Sequence, residues 1–296
     1  MENRVRFVQP SAAKLNLSLR VTKKRECGYH DIVSVFLRLP PVEVLLISEG
    51  AEGDRVCTCG VDVDIGAGKE NIVARSLRCA REAGHEVPFL DIRIVKTLYP
   101  GSGLGAGSGN GAAVLRWCAE GEKGRKDPLE SSAWRNVALK TGADVPFLFS
   151  EVPVALVSGI GEVIEPLEPF KSRLHASIVF PHWSVGTENA YDLLDRRYGG
   201  AYPLNAAAAR GEAESLYRKL RDGEKVGLLP NDFAPELMEK FPGYGKLFDV
   251  FEKEGSRAWG ITGSGGAAFA LSSSALNLFA FRWPFEVRQA LSVNVA

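Results

Sequence analysis

The segment Tyr99-Pro-Gly-Ser-Gly-Leu-Gly-Ala-Gly-Ser-Gly-Asn-Gly-Ala-Ala113 carries six glycines in eleven residues, set between an alternating apolar stretch and a helical one. Without a Cβ, backbone of this kind can approach a ligand closely, and its successive N–H groups can converge into an anion-binding nest. A helix that starts directly afterwards adds about half a positive charge at the same place. Phosphate is the guest that suits such a loop, and plain flexibility is the other reading of a glycine run standing alone. The run is not a Gly-x-x-x-x-Gly-Lys-[Ser/Thr] loop, and its Gly-x-Gly-x-x-Ala match at Gly101, Gly103 and Ala106 is weak. The regular strand–helix alternation of a dinucleotide fold is also missing around it. Ser108 reads as a hydroxyl for the phosphates, and Asn110 as either a ligand or the cap of the following helix.

Any phosphate affinity has to be local, because 36 Lys and Arg balance 36 Asp and Glu and leave no net field to draw in a nucleic acid or an anionic membrane. The Lys23-Lys-Arg25 run is too short to change this and reads as a solvated turn. There is no apolar leader at the N-terminus and no apolar stretch of membrane-spanning length, so a cytoplasmic protein is expected. Five cysteines, odd in number and scattered over 296 residues, point to thiols rather than a disulfide framework. Cys57 and Cys59 are one residue short of a Cys-x-x-Cys pair and the four histidines form no cluster, so no protein-bound metal is expected.

Hydrophobic periodicity predicts a β-rich opening, with strands over Arg4–Val8, Leu15–Val21 and Val42–Ser48. It then predicts a helix over Glu70–Ala83, a strand over Leu90–Val95, a helix continuing through Ala112–Ala119, and another over Glu130–Thr141 closed by Gly142. Further along it gives a strand at Ser177–Phe180, helices at Glu188–Arg197 and Ala206–Arg221, and a strand, turn and strand over Trp259–Leu271. An apolar fraction of 45% in a chain this long supports a large core, one big domain or two packed ones, with a soft boundary near residue 165. On pattern alone, Lys14, Asn16 and Ser18 share one face of a half-buried strand opposite Leu15, Leu17 and Leu19. Asp144, just after a helix end, reads as a turn aspartate.

Taken in order, Ala13-Lys-Leu-Asn-Leu17, Gly28-Tyr-His30, Gly103-Leu-Gly-Ala-Gly-Ser108, Gly142-Ala-Asp-Val-Pro-Phe147, Gly159-Ile-Gly-Glu162, Asn231-Asp232 and Gly263-Ser-Gly265 resemble the successive motifs of one kinase family. That family is 4-diphosphocytidyl-2-C-methyl-D-erythritol kinase, of the superfamily that also holds galactokinase, homoserine kinase, mevalonate kinase and phosphomevalonate kinase. The resemblance runs from Pro10 to about Leu271, and the pairing of Lys-Leu-Asn-Leu with Gly-Tyr-His is its specific part. It implies a two-domain α+β kinase: a ribosomal protein S5 domain 2-like β/α domain over 1–165 holding ATP and the catalytic groups, then a ferredoxin-like α+β substrate domain over 166–296, with the active site in the cleft between them. It also implies that ATP, carrying Mg²⁺, phosphorylates the 2-hydroxyl of the cytidine-linked alcohol in non-mevalonate isoprenoid synthesis.

By the same resemblance Asp144 takes the hydroxyl proton and Lys14 steadies the carboxylate and the passing charge. Asn16 orients the substrate, Tyr29 and His30 hold the cytosine, and Thr187 and Tyr191 close over it from the other side, giving two aromatic faces. Gly103, Leu104, Gly105, Ala106, Gly107, Ser108, Gly109 and Asn110 bind the phosphates, Asn71 and Lys96 fall near the adenosine, and Gly263, Ser264 and Gly265 line the diphosphate. Three departures stand out. The family's loop commonly reads Gly-Leu-Gly-Gly-Gly-Ser-Ser-Asp-Ala-Ala, so Gly109 and Asn110 lack a hydroxyl and a charge, Cys27 replaces an acidic residue, and the loop proline is shifted by one. A kinase acting on another alcohol, or a nucleotide-binding homologue with impaired catalysis, is the alternative those departures raise. A monomer or homodimer that binds neither nucleic acid nor membrane completes the expectation.

Overall fold

The computed structural model describes residues 7–50, 52–61, 71–121, 131–183 and 186–295. They fall into two compact units interleaved along the chain. One comprises Met1–Lys14, Pro41–Pro100 and Gly105–Val152, and the other Leu15–Pro40, Gly101–Leu104 and Pro153–Ala296.

In chain order the strands are β1 (Phe7–Ser11), β2 (Lys14–Lys24), β3 (His30–Arg38), β4 (Glu43–Glu49), β5 (Arg55–Gly60) and β6 (Leu90–Lys96), with helix α1 (Ile72–Glu82) before β6. Helices α2 (Ala106–Gly121), α3 (Ser132–Thr141) and α4 (Val145–Ser150) follow, then β7 (Val154–Gly159), β8 (Val163–Pro166) and β9 (His175–Pro181). The remainder holds α5 (Thr187–Tyr198), α6 (Ala206–Arg221), β10 (Gly227–Leu228), α7 (Ala234–Lys240), α8 (Gly243–Lys253), β11 (Ala258–Ile261), β12 (Ala268–Ser272) and β13 (Val287–Asn294).

The first unit is built on a four-stranded sheet in the order β1-β4-β6-β5, antiparallel except for the parallel β5–β6 pair. Its strands alternate: Leu45 and Ile47 of β4 and Leu90, Ile92 and Ile94 of β6 turn inward and are fully buried. Helix α2 packs on β1 and β4, and α1, α3 and α4 cluster around it. The glycine run determines how close that packing is. Helix α2 starts at Ala106, so the second half of the glycine run, expected as loop, is helix, and Asn110 lies inside α2 rather than at its cap. The first helical hydrogen bond runs from Gly109 N–H to the Gly105 carbonyl at 2.8 Å. A Cβ on Gly109 would sit on the Ala12 carbonyl oxygen and 3.1 Å from Ser11 Oγ, so the bare helix face lets α2 lie against the β1–β2 connection.

The second unit contains a four-stranded sheet, β2-β3-β7-β8, and a five-stranded one, β10-β11-β12-β9-β13, in which only the β10–β11 pair is parallel. Strand β2 is not the half-buried strand its alternation predicts. Leu15, Leu17 and Leu19 are buried, each worth roughly 1.5–3 kcal/mol, but Lys14, Asn16 and Ser18 are buried too. Polar groups tolerate this only when paired. Asn16 Nδ2 donates to Ser34 Oγ at 3.0 Å, Val35 N–H donates to Ser18 Oγ at 3.1 Å, and Asn16 N–H donates to Thr262 Oγ1 at 3.1 Å. Strand β3, with nearly every residue from Ile32 to Leu37 buried, has too little alternation to announce itself. The strand, turn and strand expected over Trp259–Leu271 are β11 and β12, and α6 has the predicted bounds. The start of the strand predicted from Arg4, Glu70 at the head of α1 and Glu130 at the head of α3 lie outside the described residues.

Asp232 ties this unit together. Its carboxylate, 1% exposed, accepts from Arg20 Nη1 at 2.6 Å and from Val21 N–H at 2.8 Å, while Arg20 also pairs with Glu212. The Glu212 hydrogen bond, opposed by burial and supported by Asp232, raises the Arg20 pKa further above its ordinary value, so the cation is permanent. Asp232→Ala is therefore expected to lower unfolding stability by about 3 kcal/mol, because it leaves a part-buried guanidinium and a buried N–H without an acceptor. Urea unfolding checks this, and a loss within experimental scatter would show that the pair is dispensable.

Candidate active site

Lys14 is the first residue of β2 and Asp144 immediately precedes α4. Their side chains meet, with Lys14 Nζ 3.5 Å from Asp144 Oδ2. The amine is nearly buried at 5% exposure, whereas the carboxylate, 29% exposed, can be reached by a ligand. Asp144 stands at the N-cap of α4 but makes no capping hydrogen bond with its side chain, so the carboxylate is directed to the lysine rather than spent on the helix end. Gly105 completes the group: a Cβ there would lie 3.1 Å from Asp144 Oδ2 and 3.2 Å from Lys14 Cε. The glycine loop thus meets the ion pair within the first unit. The loop's φ angles are left-handed at Gly101, Gly103 and Gly105 (72°, 80° and 66°), alternate positions of the kind that turn successive amides to one side.

Behind that loop is a buried polar network that sequence reasoning did not find. The Glu43 carboxylate, with no exposed surface, accepts from Lys96 Nζ at 2.6 Å and Asn110 Nδ2 at 2.9 Å. It also accepts from the Thr97 and Leu98 amides at 3.3 and 3.2 Å. One carboxylate therefore ties the entry to the glycine loop to the second turn of α2. An aspartate at 110 would bring a second carboxylate against Glu43, and asparagine supplies the donor that Glu43 needs. The Gly109 and Asn110 departures thus have a local packing reason. Asn71, expected near the adenosine, caps α1, its Oδ1 accepting from Val73 N–H at 2.9 Å. Gly107 faces Ile72 at the start of that helix, 3.9 Å from a Cβ position.

In the second unit, Gly101–Leu104 runs backbone against backbone along the turn that follows β11. A Cβ on Gly103 would overlap the Thr262 carbonyl oxygen, and one on Gly263 would lie 2.8 Å from the Gly103 carbonyl oxygen. Asn16 joins this group through Thr262, and Ser264 Oγ donates to Thr187 Oγ1 at 3.2 Å. Asn231 fixes the same turn, its Nδ2 donating to the Ile261 and Gly263 carbonyls, both at 2.9 Å.

Tyr29 and His30 lie at the start of β3 in this unit. Tyr29 is 59% exposed, while the His30 ring stacks on Tyr191 with centroids 4.5 Å apart. One face of Tyr191 therefore carries a protein ring already, and its edge-to-face partner is Phe233 at 4.9 Å. Asp195, one turn along α5 from Tyr191, is the residue the sequence did not mark. It accepts from Lys24 at 2.5 Å and from the Tyr202 hydroxyl at 2.5 Å, and its Oδ1 lies 2.8 Å from His30 Nε2. Burial opposes its ionisation, but the hydrogen bonds from Lys24, Tyr202 and His30 outweigh burial and hold the carboxyl at about 2. Burial and then the same carboxylate push the Tyr202 phenol upward, so it keeps its proton and donates it to Asp195.

A 4-diphosphocytidyl-2-C-methyl-D-erythritol kinase of Porphyromonas gingivalis is 32% identical to this chain over 261 residues, 88% of this chain and 89% of that one. The chain belongs to that kinase family. The 4-diphosphocytidyl-2-C-methyl-D-erythritol kinase of Chlorobaculum parvum is 29% identical over 269 residues, 90% of this chain and 88% of its own. A crystal structure of 4-(cytidine 5'-diphospho)-2C-methyl-D-erythritol kinase superposes with a TM-score of 0.71 at 24% identity, covering 97% of this chain and 98% of that one, and shows the shared two-domain α+β kinase fold. No protein-family model matches the sequence. The kinase family uses ATP, and among the described residues no helix is long and apolar enough to cross a membrane.

Two outcomes follow from this geometry. Gly109→Ser, which restores the hydroxyl common in the kinase family, is expected to cost about 1–3 kcal/mol in denaturant unfolding, because its Cβ meets the Ala12 backbone; unchanged stability would mean that α2 can shift. For Asp195 the folded-state pKa is depressed, so its contribution is present above the ordinary aspartate range and is lost as pH falls through the folded value. The stability gap between the wild-type chain and Asp195→Asn should therefore be full at pH 5 and shrink from about pH 4 toward pH 2. A gap independent of pH in that window would contradict it.

Proposed function

We propose that this chain transfers the γ-phosphoryl group of ATP to the 2-hydroxyl of 4-diphosphocytidyl-2-C-methyl-D-erythritol, giving the 2-phosphate and ADP, in the cytoplasm, as a step of non-mevalonate isoprenoid precursor synthesis. The observation that supports the reading most is the Lys14–Asp144 pair at 3.5 Å beside Gly105, in a chain 32% identical to a kinase of that name. Phosphoryl transfer passes through a loose transition state, so the protein contributes mainly alignment and charge stabilisation.

In this reading the amides of the glycine loop from Gly103 to Ser108, with the Ser108 hydroxyl, receive the triphosphate, while Gly109, whose N–H is bonded within α2, and Asn110, whose side chain holds Glu43, support that loop from the helix. Asp144 accepts the proton of the 2-hydroxyl as its oxygen bonds to the γ-phosphorus and the bond to the β–γ bridging oxygen breaks, releasing ADP. The Lys14 ammonium stays close to the carboxylate and offsets negative charge as it passes from alcohol to phosphate. Asn71 and Lys96 act on the nucleotide side, Lys96 through its hold on Glu43. Asn16, Tyr29, His30, Thr187 and Tyr191 take the cytidine-linked substrate, and Gly263, Ser264 and Gly265 its diphosphate. Nucleotide and catalytic groups then fall largely in 1–165, with 166–296 completing the substrate site.

Mg²⁺ enters with the nucleotide. The ion prefers phosphate and water oxygens with one or two carboxylates, and no group of three or more His, Cys, Asp or Glu suited to a metal occurs among the described residues. Asp144 and Ser108 are the side chains of this chain that would offer it an oxygen, and the ion would supply positive charge against the triphosphate. All five cysteines stand as thiols, in keeping with a reducing compartment.

The test is turnover with ATP, Mg²⁺ and the cytidine-linked alcohol. Asp144→Asn is nearly isosteric and is expected to lower kcat by about 10²- to 10⁴-fold with little change in KM, the effect of removing a general base. Equal rates for the two proteins would remove Asp144 from the chemistry, and absence of turnover by the wild-type chain would refute the assignment of substrate.

A further inference from the structure

We propose that Asp195 is the specificity-determining residue of the pyrimidine site: it fixes the His30 tautomer so that Nδ1 presents a lone pair, which selects a base with an exocyclic amino group over one with a carbonyl. The inference rests on the reading that His30 faces the pyrimidine, and it adds a mechanism for the choice of base.

Asp195 Oδ1 is 2.8 Å from His30 Nε2, and the same carboxylate accepts from Tyr202 Oη at 2.5 Å and from Lys24 Nζ at 2.5 Å. An ionised carboxylate only accepts, so Nε2 must carry the proton that joins the two. In the neutral imidazole this is the ring's one N–H proton. Nδ1, with no protein hydrogen bond among the described residues, is left as an acceptor. The ring cannot turn to exchange its nitrogens: its face is stacked on Tyr191 at 4.5 Å and 23°, Tyr202 meets it edge-on at 6.1 Å, and the side chain is only 7% exposed. Cytosine presents an amino donor at C4 and uracil an acceptor oxygen. A fixed lone pair pairs with the first and repels the second.

The cluster also predicts what an amide does in place of Asp195. The Lys24 ammonium has three donors and no acceptor, so the carboxamide oxygen of an Asp195→Asn variant turns toward Lys24 and its NH₂ toward His30 and Tyr202. Nε2 then becomes the acceptor, the proton moves to Nδ1, and the site offers a donor that suits a carbonyl. Neither residue touches the reacting atoms. Asp195 is a positioning residue that acts through His30.

The test is calorimetric binding of CDP and of UDP to the full chain, with the ATP site filled by a non-hydrolysable ATP analogue, and ¹⁵N NMR of the imidazoles, with His30 assigned by the signals lost in His30→Gln. The wild-type chain is expected to prefer CDP by about tenfold or more, the discrimination of one mismatched buried hydrogen bond, with the proton on Nε2 and Nδ1 bare. Asp195→Asn should bring the preference within about threefold or reverse it, and Tyr202→Phe, which removes one donor to the carboxylate but leaves the carboxylate, should keep it. An unaltered preference in Asp195→Asn, a wild-type chain indifferent to the base, or a proton on His30 Nδ1 would overturn the proposal. The NMR reading needs only the wild-type fold, so a variant that fails to fold leaves the proposal open to refutation. Turnover of the cytidine-linked alcohol by the wild-type chain is recorded alongside and tests the reaction separately: turnover without the predicted tautomer refutes this inference alone.

Discussion

A lysine amine at the head of β2 and a carboxylate at the head of α4 come within 3.5 Å, and the bare backbone of Gly105 lies close against both. A Cβ at 3.1 Å from Asp144 Oδ2 and 3.2 Å from Lys14 Cε would press on both partners, and a φ of 66° at Gly105 already disfavours any other residue. The neighbouring constraints have the same form. Gly109 lets α2 approach Ala12, Gly103 and Gly263 let two turns pass backbone to backbone, and Gly266 does so against Gly101. The glycine run therefore acts as a set of close approaches, and each approach fixes where one loop or helix end lies.

Charge is handled in two different ways. Glu43 is fully buried and has four donors, so its cost of desolvation is met by Lys96, Asn110 and two backbone amides that enter the glycine loop. Asp195 remains partly exposed and gathers Lys24, Tyr202 and His30. The first network ties the entry to the glycine loop to α2. The second orients the His30 ring. In both, a carboxylate gathers donors that are distant in the chain and fixes where they lie.

Much of this was legible in the sequence, and the exceptions have physical causes. The amphipathic periodicity of α6 and the alternation of β6 carry their own signal, and the spacing of Lys14, Tyr29-His30, the glycine loop and Asp144 singled out a family. Strand β3 was missed because it is buried on both faces and so lacks a period, and β2 was misread as half-buried because its polar residues are inside and paired. Helix α2 was predicted to start late because glycines argue against helix locally, while packing against α1, β1 and β4 overrides that propensity. Glu43 and Asp195 were invisible for another reason: their partners lie 67 and 165 residues away, so only the fold reveals that they are hubs.

The central claim is that Asp144, held by Lys14 beside the glycine loop, is the group that faces the acceptor alcohol. A crystal structure with a non-hydrolysable ATP analogue and 4-diphosphocytidyl-2-C-methyl-D-erythritol tests it most directly. The account predicts an Asp144 carboxylate oxygen within about 3.2 Å of the 2-hydroxyl, with loop amides on the triphosphate and that hydroxyl in line with the γ-phosphorus. A complex in which the 2-hydroxyl contacts a different base, with Asp144 paired only to Lys14, would contradict it.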